Sequence, residues 1–224
     1  MILSHHHIDH IGAAEYLHET FDFQIFAHSQ TIQLLQNCIF INEEIISLKP
    51  VDDSSEKKHI QILQHPILNR KLSDWQLFLT PGHAPGHICF FHKEHGYLIV
   101  GDMVASVGTI LIEPQDGNMR QYIESLRFLK SLTSKFAFPA HGNPIDNPSN
   151  YFEFYIQHRL FREQKVLSSL SHDIPKNLDE LVKQAYNDVS SRIYEIAKLS
   201  LESHLIKLIE ENRVSFDGER YLLR

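Results

Sequence analysis

A short segment near the start of the chain, His5 to His10, holds four histidines and one aspartate. In an extended segment residues two apart face the same side, so His5, His7 and Asp9 are predicted to point together and His6 away from them. His10 follows where an apolar helical pattern begins, so its ring can turn toward the same side. Imidazoles and a carboxylate in this arrangement suit a divalent metal ion. Four ligands exceed the three that a catalytic zinc ion takes from a protein, so the spacing indicates two ions.

A purification tag or a surface histidine cluster is the alternative interpretation of this segment. Tags are uninterrupted histidine runs, whereas this one is broken by Ile8 and Asp9 and continues into an apolar pattern. Further along the chain, three metal-binding side chains follow short apolar runs: His83, Asp102 and His141. Loops after strands commonly build sites on a rigid scaffold, so we expect all three to join the N-terminal segment.

The first two thirds of the chain alternate short apolar runs with turns and helical patterns, which predicts an α/β fold. Strands are predicted at residues 24–27, 76–79, 88–91 and 97–100, and helices at residues 12–19 and 118–131. The polar stretch from Ile41 to Arg70 is interpreted as a loop. Cys38 and Cys89 are interpreted as small core residues.

A turn-rich segment at residues 142–150 predicts a domain boundary, with residues 1–148 and 149–224 as the two domains. Beyond it, helices are predicted at residues 151–170, 178–186 and 191–211. A hairpin follows, because Asp217-Gly218 tolerates the positive φ of a tight turn. Helices followed by a hairpin predict a winged-helix-like module.

The composition excludes several classes of function. The net charge is −7, which argues against a generally basic nucleic-acid coat. Two cysteines are too few for a disulfide scaffold or a cysteine zinc cluster. No apolar run is long enough to span a membrane, and no signal peptide is evident before the histidine segment. The charges of the predicted C-terminal helices are balanced, so the module carries no strong DNA-binding signature.

Four motifs carry the candidate metal ligands, namely the N-terminal histidine segment and the segments around His83, Asp102 and His141. In this order they resemble the motif series of the metallo-beta-lactamase superfamily. The segment from His5 to His10 matches its His-x-His-x-Asp-His signature, and the three later side chains match its later motifs. Residues 108–126, 158–163 and 204–208 are similar to the branch that contains beta-lactamase-like protein 2. The resemblance covers essentially the whole chain and implies a metallo-beta-lactamase-type αββα sandwich followed by a C-terminal winged-helix-like helical domain.

The resemblance also implies seven metal ligands that are divided between two ions. The first ion would be held by His5, His7 and His83, the second by Asp9, His10 and His141, and both by a bridging Asp102. Asp9 is the predicted catalytic residue, because it can also orient the nucleophile or accept its proton. We expect two divalent metal ions, with Zn2+ first and Mn2+ or Fe2+ as alternatives.

Two metal ions predict a hydrolase that uses a hydroxide shared between them. The branch implies a phosphodiesterase of the single-strand RNA endonuclease type. The alternative enzyme is a glyoxalase II-like thioester hydrolase of the hydroxyacylglutathione hydrolase type. The third hypothesis is a non-catalytic truncated paralogue or a DNA-binding or scaffold protein. The expected partners are a small ester or thioester or single-stranded RNA, no membrane, and a second copy of the chain in a homo-oligomer.

The family has several strands before its first histidine motif, whereas four residues precede His5 here. We therefore expect the sandwich to lack its early strands, through truncation or a misassigned start. Such a sheet exposes an edge and an apolar face, so we expect the chain to be marginally stable or self-associating when made alone. A cytoplasmic location is expected, with organellar targeting left open for the same reason.

Four other residues have weaker signals. His87 is interpreted as a packed structural residue, with a role beside the metal site as the alternative. Arg159 and Arg162 could grip an anionic substrate, but an i,i+4 ion pair between Arg159 and Glu163 is favoured. His6 is expected to be packed or to face solvent.

Overall fold

A computed structural model describes residues 1–35, 45–51 and 60–224 of the chain. The predicted α/β fold is confirmed in the first two thirds, where helices and strands alternate. The elements there are α1 (Ile8–Ile11), α2 (Ala14–Phe21), β1 (Phe26–His28), α3 (Ser29–Leu35), β2 (Ile46–Pro50), β3 (Gln61–Gln64), α4 (Pro66–Lys71), β4 (Trp75–Leu79), β5 (Ile88–His92), β6 (Tyr97–Gly101), α5 (Met119–Ser131), β7 (Phe136–Pro139) and β8 (Ile145–Asp146).

The strands β1 to β8 form one sheet in sequence order. The pairs β1–β2 and β6–β7 are parallel, and the other neighbours are antiparallel. Helix α5 makes the crossover between β6 and β7, as a parallel connection requires. The sheet curls, because the N-terminal segment bridges its first strand and its middle: the Leu3 N–H donates to the Phe26 carbonyl in β1, and the Ile88 N–H in β5 donates to the Ser4 carbonyl.

The prediction of a loop from Ile41 to Arg70 is wrong for the part of it that the structure describes. Strands β2 and β3 pair antiparallel there, and α4 follows with the His65 ring accepting a hydrogen bond from the Ile67 backbone N–H. These elements are four to six residues long, so their sequence pattern is too short to stand out. Cys38 and the polar run from residue 52 to residue 58 lie outside the described residues.

The last third of the chain is helical and ends in a hairpin. Its elements are α6 (Pro148–Ser169), α7 (Leu178–Ala185), a 3₁₀ turn (Ser191–Ile193), α8 (Tyr194–Glu210), β9 (Val214–Phe216) and β10 (Tyr221–Leu223). Strands β9 and β10 pair antiparallel, which confirms the predicted hairpin. No helix within the described ranges is long and apolar enough to cross a membrane.

Helix α6 contributes to two hydrophobic cores. Phe152 and Ile156 in its first half pack into the cluster that α5 and the sheet form. Val166 and Leu167 in its second half pack instead with α7 and α8. The helix therefore fixes the C-terminal module against the sheet, and the predicted division at residues 148 and 149 stays a prediction.

Candidate metal centre

The N-terminal segment is held against the sheet by backbone hydrogen bonds. The Leu3 N–H donates to the Phe26 carbonyl over 2.9 Å, and the Ile88 N–H donates to the Ser4 carbonyl over 2.9 Å. These bonds place His5 between β1 and the start of β5. Helix α1 begins three residues later, so the segment changes from extended to helical within the histidine motif.

The later side chains are carried by the loops that follow β4, β6 and β7. Gly82, which precedes His83, has a φ of +130°, and a side chain there would overlap the backbone of Tyr122 in α5. Glycine therefore lets the loop that carries His83 pack closely against α5. Gly101 has a φ of +49°, and a Cβ there would lie 2.6 Å from the His87 ring. Small residues thus set the direction in which two of the predicted ligands leave the strands.

The three histidines predicted for the first ion meet at their ring nitrogens. His7 Nδ1 lies 3.1 Å from His5 Nε2 and 3.0 Å from His83 Nε2. His5 and His83 are buried. Their three nitrogens form a compact group with the spacing that ligands around one ion would have.

The residues predicted for the second ion form a neighbouring group. Asp9 Oδ2 lies 3.5 Å from His10 Nε2 and 3.4 Å from His141 Nε2. Asp102 lies between the two groups. Its Oδ1 is 3.3 Å from His10 Nε2, and its Oδ2 is 3.4 Å from His141 Nε2 and 3.6 Å from His83 Nε2. The structure therefore brings all seven predicted side chains together, with Asp102 between the two groups.

This donor set fits a pair of divalent cations. His10 Nε2 and Asp102 Oδ1 are buried and have no hydrogen-bond partner in the part of the chain described. Burial and the neighbouring imidazoles lower the pKa of His5, and burial followed by His7 lowers the pKa of His83 to about 4. Both rings are therefore neutral at physiological pH, which is the form that binds a metal. Nitrogen and carboxylate ligands in this mixture suit zinc, iron or manganese.

Asp102 is ionised in the same site. Burial alone would raise the pKa of its carboxyl, but the imidazoles of His10, His83 and His141 outweigh that effect and lower it. The backbone N–H of Asp102 donates to His87 Nε2 over 3.1 Å, and His87 Nδ1 lies 2.9 Å from the Thr80 hydroxyl. His87 is thus a buried residue that fixes the bridging aspartate in place.

Asp116 is a member of the site that the sequence analysis missed. Its Oδ2 accepts from His7 Nε2 over 2.9 Å and lies 3.0 Å from His6 Nε2. Asp116 raises the pKa of His7 through this hydrogen bond. The expectation that His6 is merely packed or faces solvent is wrong, because it shares a carboxylate with a predicted ligand. No local signal in the sequence could have found Asp116, because the histidine that it contacts lies 109 residues away.

An apolar groove with a volume of about 770 Å³ lies beside the centre. Its lining includes His10 of the centre together with Trp75, Phe90, Ile99 and Phe138. Ile99 keeps 41% of its surface exposed although it lies on a strand in the middle of the sheet. The low stability expected from the sequence stays a prediction.

Comparison with protein families identifies two regions of the chain. The Metallo-beta-lactamase superfamily model matches residues 1–141, and the Beta-lactamase associated winged helix domain model matches residues 178–221. The first match covers every residue of the centre up to His141. The second covers α7, α8 and most of the hairpin.

Curated relatives extend the similarity. The chain is 27% identical over 232 residues to the Beta-lactamase-like protein 2 homolog of Drosophila melanogaster, across 99% of this chain and 73% of that protein. It is 31% identical over 183 residues to the Lactamase-like protein nscB of Arthroderma benhamiae, across 73% of this chain and 41% of that protein. The chain thus spans less than half of the fungal relative.

Solved structures show the same fold. A metallo-beta-lactamase family protein from Thermus thermophilus superposes with a TM-score of 0.74 at 21% identity, covering 100% of this chain and 79% of the other. TTHA1623, solved in a di-iron-bound form, superposes with a TM-score of 0.54 at 20% identity, covering 67% of this chain and 73% of the other. With the ligand geometry and the family matches, the conclusion is that this chain belongs to the metallo-beta-lactamase superfamily and carries a beta-lactamase-associated winged-helix domain.

Proposed function

We propose that the protein is a hydrolase that uses two divalent cations, with zinc as the expected metal and manganese or iron as alternatives. The position of Asp102 carries the proposal, because its two oxygens face imidazole nitrogens from both ligand groups. A site for one ion has no need of a carboxylate shared in this way. The di-iron form of TTHA1623 supports iron as an alternative metal.

Two cations held here would supply Lewis acidity and a water molecule of lowered pKa. The chain supplies the geometry and the proton transfer. The Asp9 side chain is 55% exposed, against 8% for Asp102. Asp9 can therefore accept the proton of the attacking water and release it to solvent, while Asp102 stays in its fixed bridging position.

The proposed substrate class is a phosphodiester in single-stranded RNA. The support is alignment over 99% of the chain with a beta-lactamase-like protein 2 homolog, the branch whose resemblance implies this activity. The aromatic side chains of the groove, Trp75, Phe90 and Phe138, could stack against unpaired bases.

A thioester with an apolar acyl chain is the second candidate substrate. The groove beside His10 favours it, because most of the lining is apolar and no lysine or arginine belongs to the lining within the described part of the chain. An uncharged acyl chain would lose little hydration in such a groove, whereas a polyanion finds no cation there.

The test is turnover by zinc-loaded protein of a single-stranded RNA oligonucleotide and of a panel of acyl thioesters. Asp102→Ala is the variant without a complete centre, and Asp173→Asn, an exposed aspartate outside the centre, is the matched control. RNA cleavage that Asp102→Ala loses and Asp173→Asn keeps supports the phosphodiesterase. If thioesters are hydrolysed while the RNA stays intact, the substrate is a thioester and not a phosphodiester. Retardation of DNA without turnover of any substrate contradicts the hydrolase and favours a binding protein.

A further inference from the structure

Arg159 is a buried cation without an acidic partner. It is 2% exposed, and no carboxylate in the described ranges lies within ion-pair distance of it. Its guanidinium donates to the Ile110 carbonyl and lies 5.2 Å from the centre of the Tyr122 ring, while its Nε has no hydrogen-bond partner. The predicted pair with Glu163 is absent from the described contacts, since Glu163 binds Lys207 over 2.6 Å instead. A buried charge left in this way is costly.

A cavity of about 190 Å³ lies beside this arginine, between the loop after β6 and helices α6 and α8. At about 30 Å³ for each water molecule it holds roughly six waters, well below the ~300 Å³ of a pocket for a drug-sized ligand. Its size therefore suits one small tetrahedral anion. Besides Arg159, the polar residues of its lining are Thr109, His158, Arg162, Tyr186 and Ser200.

The charges around the cavity are positive. Among the residues that the structure describes, no aspartate or glutamate lines the cavity. Asp188 is the carboxylate that Arg162 binds, over 2.7 Å, and it also binds Lys165 over 2.9 Å. Arg162 is thereby paired, whereas Arg159 has no carboxylate partner among the described residues.

His204 in α8 is a second buried group that lies close enough to Arg159 to be affected by its positive charge. Its side chain is fully buried, and neither ring nitrogen has a hydrogen-bond partner in the described structure. Burial lowers the pKa of His204 to about 3, and Arg159 and Lys207 add to the effect. A neutral histidine beside an unpaired arginine does not supply the missing negative charge.

We propose that this cavity at the domain junction binds a phosphate group, with Arg159 as the main contact and the hydroxyl of Ser200 as a further donor. Guanidinium groups recognise phosphate through paired hydrogen bonds, and Arg159 has its Nε free for one of them. The phosphate can be free inorganic phosphate or the phosphate of a nucleotide whose remainder extends out of the cavity. The proposal does not depend on the substrate of the metal centre.

The cavity shares a loop with the metal centre. Thr109, Ile110 and Leu111 line the cavity, and the Leu111 carbonyl accepts a hydrogen bond from His83 Nδ1 over 3.1 Å. The Ser203 hydroxyl in α8 donates to the Ile112 carbonyl over 2.6 Å. A phosphate bound by Arg159 therefore contacts the loop that orients a predicted metal ligand.

Isothermal titration of zinc-loaded protein with inorganic phosphate, at constant ionic strength, tests the site. Thr109 is exposed, so its replacement does not threaten the fold. Thr109→Glu places a carboxylate at the cavity and should weaken phosphate binding at least tenfold. Thr109→Gln introduces a side chain of the same size as glutamate but without charge, so this variant should bind phosphate as the wild type does. Neither variant replaces a residue of the metal centre, so a difference in phosphate affinity between them reports on the junction cavity.

Arg159→Gln should lose the same binding, with the exposed Arg213→Gln as its matched control, and Thr109→Glu decides the question if Arg159→Gln does not fold. Titration with adenosine 5′-monophosphate distinguishes the two sources: tighter binding than phosphate identifies a nucleotide, and weaker binding identifies the free ion. Equal affinity of the Thr109→Glu and Thr109→Gln proteins for phosphate would overturn the proposal. Absence of saturable binding to the wild type would also overturn it.

Discussion

The metal centre, which is partly buried, and the cluster around Arg159 at the domain junction are two polar clusters of opposite charge. The centre combines the carboxylates of Asp9 and Asp102 with imidazoles whose pKa is lowered, such as His83. The junction holds Arg159 and a neutral His204 with no carboxylate in the cavity lining. Buried lone pairs without hydrogen-bond donors are stabilised by a bound cation, and a buried guanidinium without a carboxylate is stabilised by a bound anion. The sign of the uncompensated charge thus indicates which ligand each cluster binds.

The two clusters also differ in how the chain assembles them. Four of the predicted ligands of the centre lie within six consecutive residues, and the others follow strands of one sheet. The junction joins residues from a loop and from two helices that pack against each other, and Arg159 and Ile110 are 49 residues apart. The first cluster is local enough to be seen in the sequence, and the second exists only after the helices have packed.

Loss of Asp102 should produce the largest effect on bound zinc and turnover, and this effect should be confined to the metal centre. Asp102→Ala removes the carboxylate shared by both ligand groups, so bound zinc should fall from two ions per chain to fewer than one. Turnover should fall by about 10³-fold, the scale of losing one main electrostatic contributor to a reaction. Elemental analysis and the rate assay measure both. Two retained ions in this variant would remove Asp102 from the centre.

Asp116→Asn should weaken zinc binding by about 10- to 100-fold, the usual cost of losing a carboxylate that orients a ligand histidine. The reason is that Asp116 holds the Nε2 side of His7 while Nδ1 faces the other ligands. His6→Ala should have a smaller effect, because Asp116 keeps its bond to His7. Competition with a chromogenic chelator gives both affinities. A larger loss in His6→Ala would reverse the assigned roles.

Acid should destabilise the metal-free protein, with a contribution from His204 that lies outside the centre. The folded-state pKa of about 3 is below the ordinary 6.5, so between these values the unfolded chain binds a proton that the folded chain does not. The free energy of unfolding therefore falls as the pH drops from 6.5 toward 3, by up to about 1.4 kcal/mol per pH unit for one such group.

His204→Leu should reduce this acid sensitivity, because an apolar side chain replaces a ring whose nitrogens have no hydrogen-bond partners in the described structure. Urea unfolding of the metal-free wild type and variant at pH 7, 6 and 5 gives the two slopes. The remaining slope belongs to groups such as His28 and His83, whose pKa values burial lowers to about 4. Identical slopes would show that His204 does not carry this part of the pH dependence.

Much of the metallo-beta-lactamase-like part of the chain could be predicted because its patterns are strong and local. Strands β4, β5 and β6 lie within one residue of the predicted bounds, and helix α5 begins one residue after its predicted start. Strands β2 and β3 were missed because they are short, and their stability comes from pairing with distant strands. Register across a sheet is not encoded in the few residues of one strand.

The sequence analysis missed members of both clusters for the same reason, which is that their partners are set by tertiary packing. Asp116 pairs with a histidine 109 residues away, so nothing in its neighbourhood marks it as part of the site. Arg159 and Glu163 have the spacing of an ion pair, yet packing of α6 against α8 gives Glu163 to Lys207. Helical spacing predicts neighbours on a free surface, and tertiary packing replaced those neighbours here.

The most direct test of the account is diffraction from zinc-soaked crystals on both sides of the zinc absorption edge. The account predicts two anomalous peaks about 3.5–4 Å apart. One should contact His5, His7 and His83, the other should contact Asp9, His10 and His141, and Asp102 should lie between them. A single peak, or a peak held by His6 and Asp116 in place of these residues, would contradict the dinuclear centre.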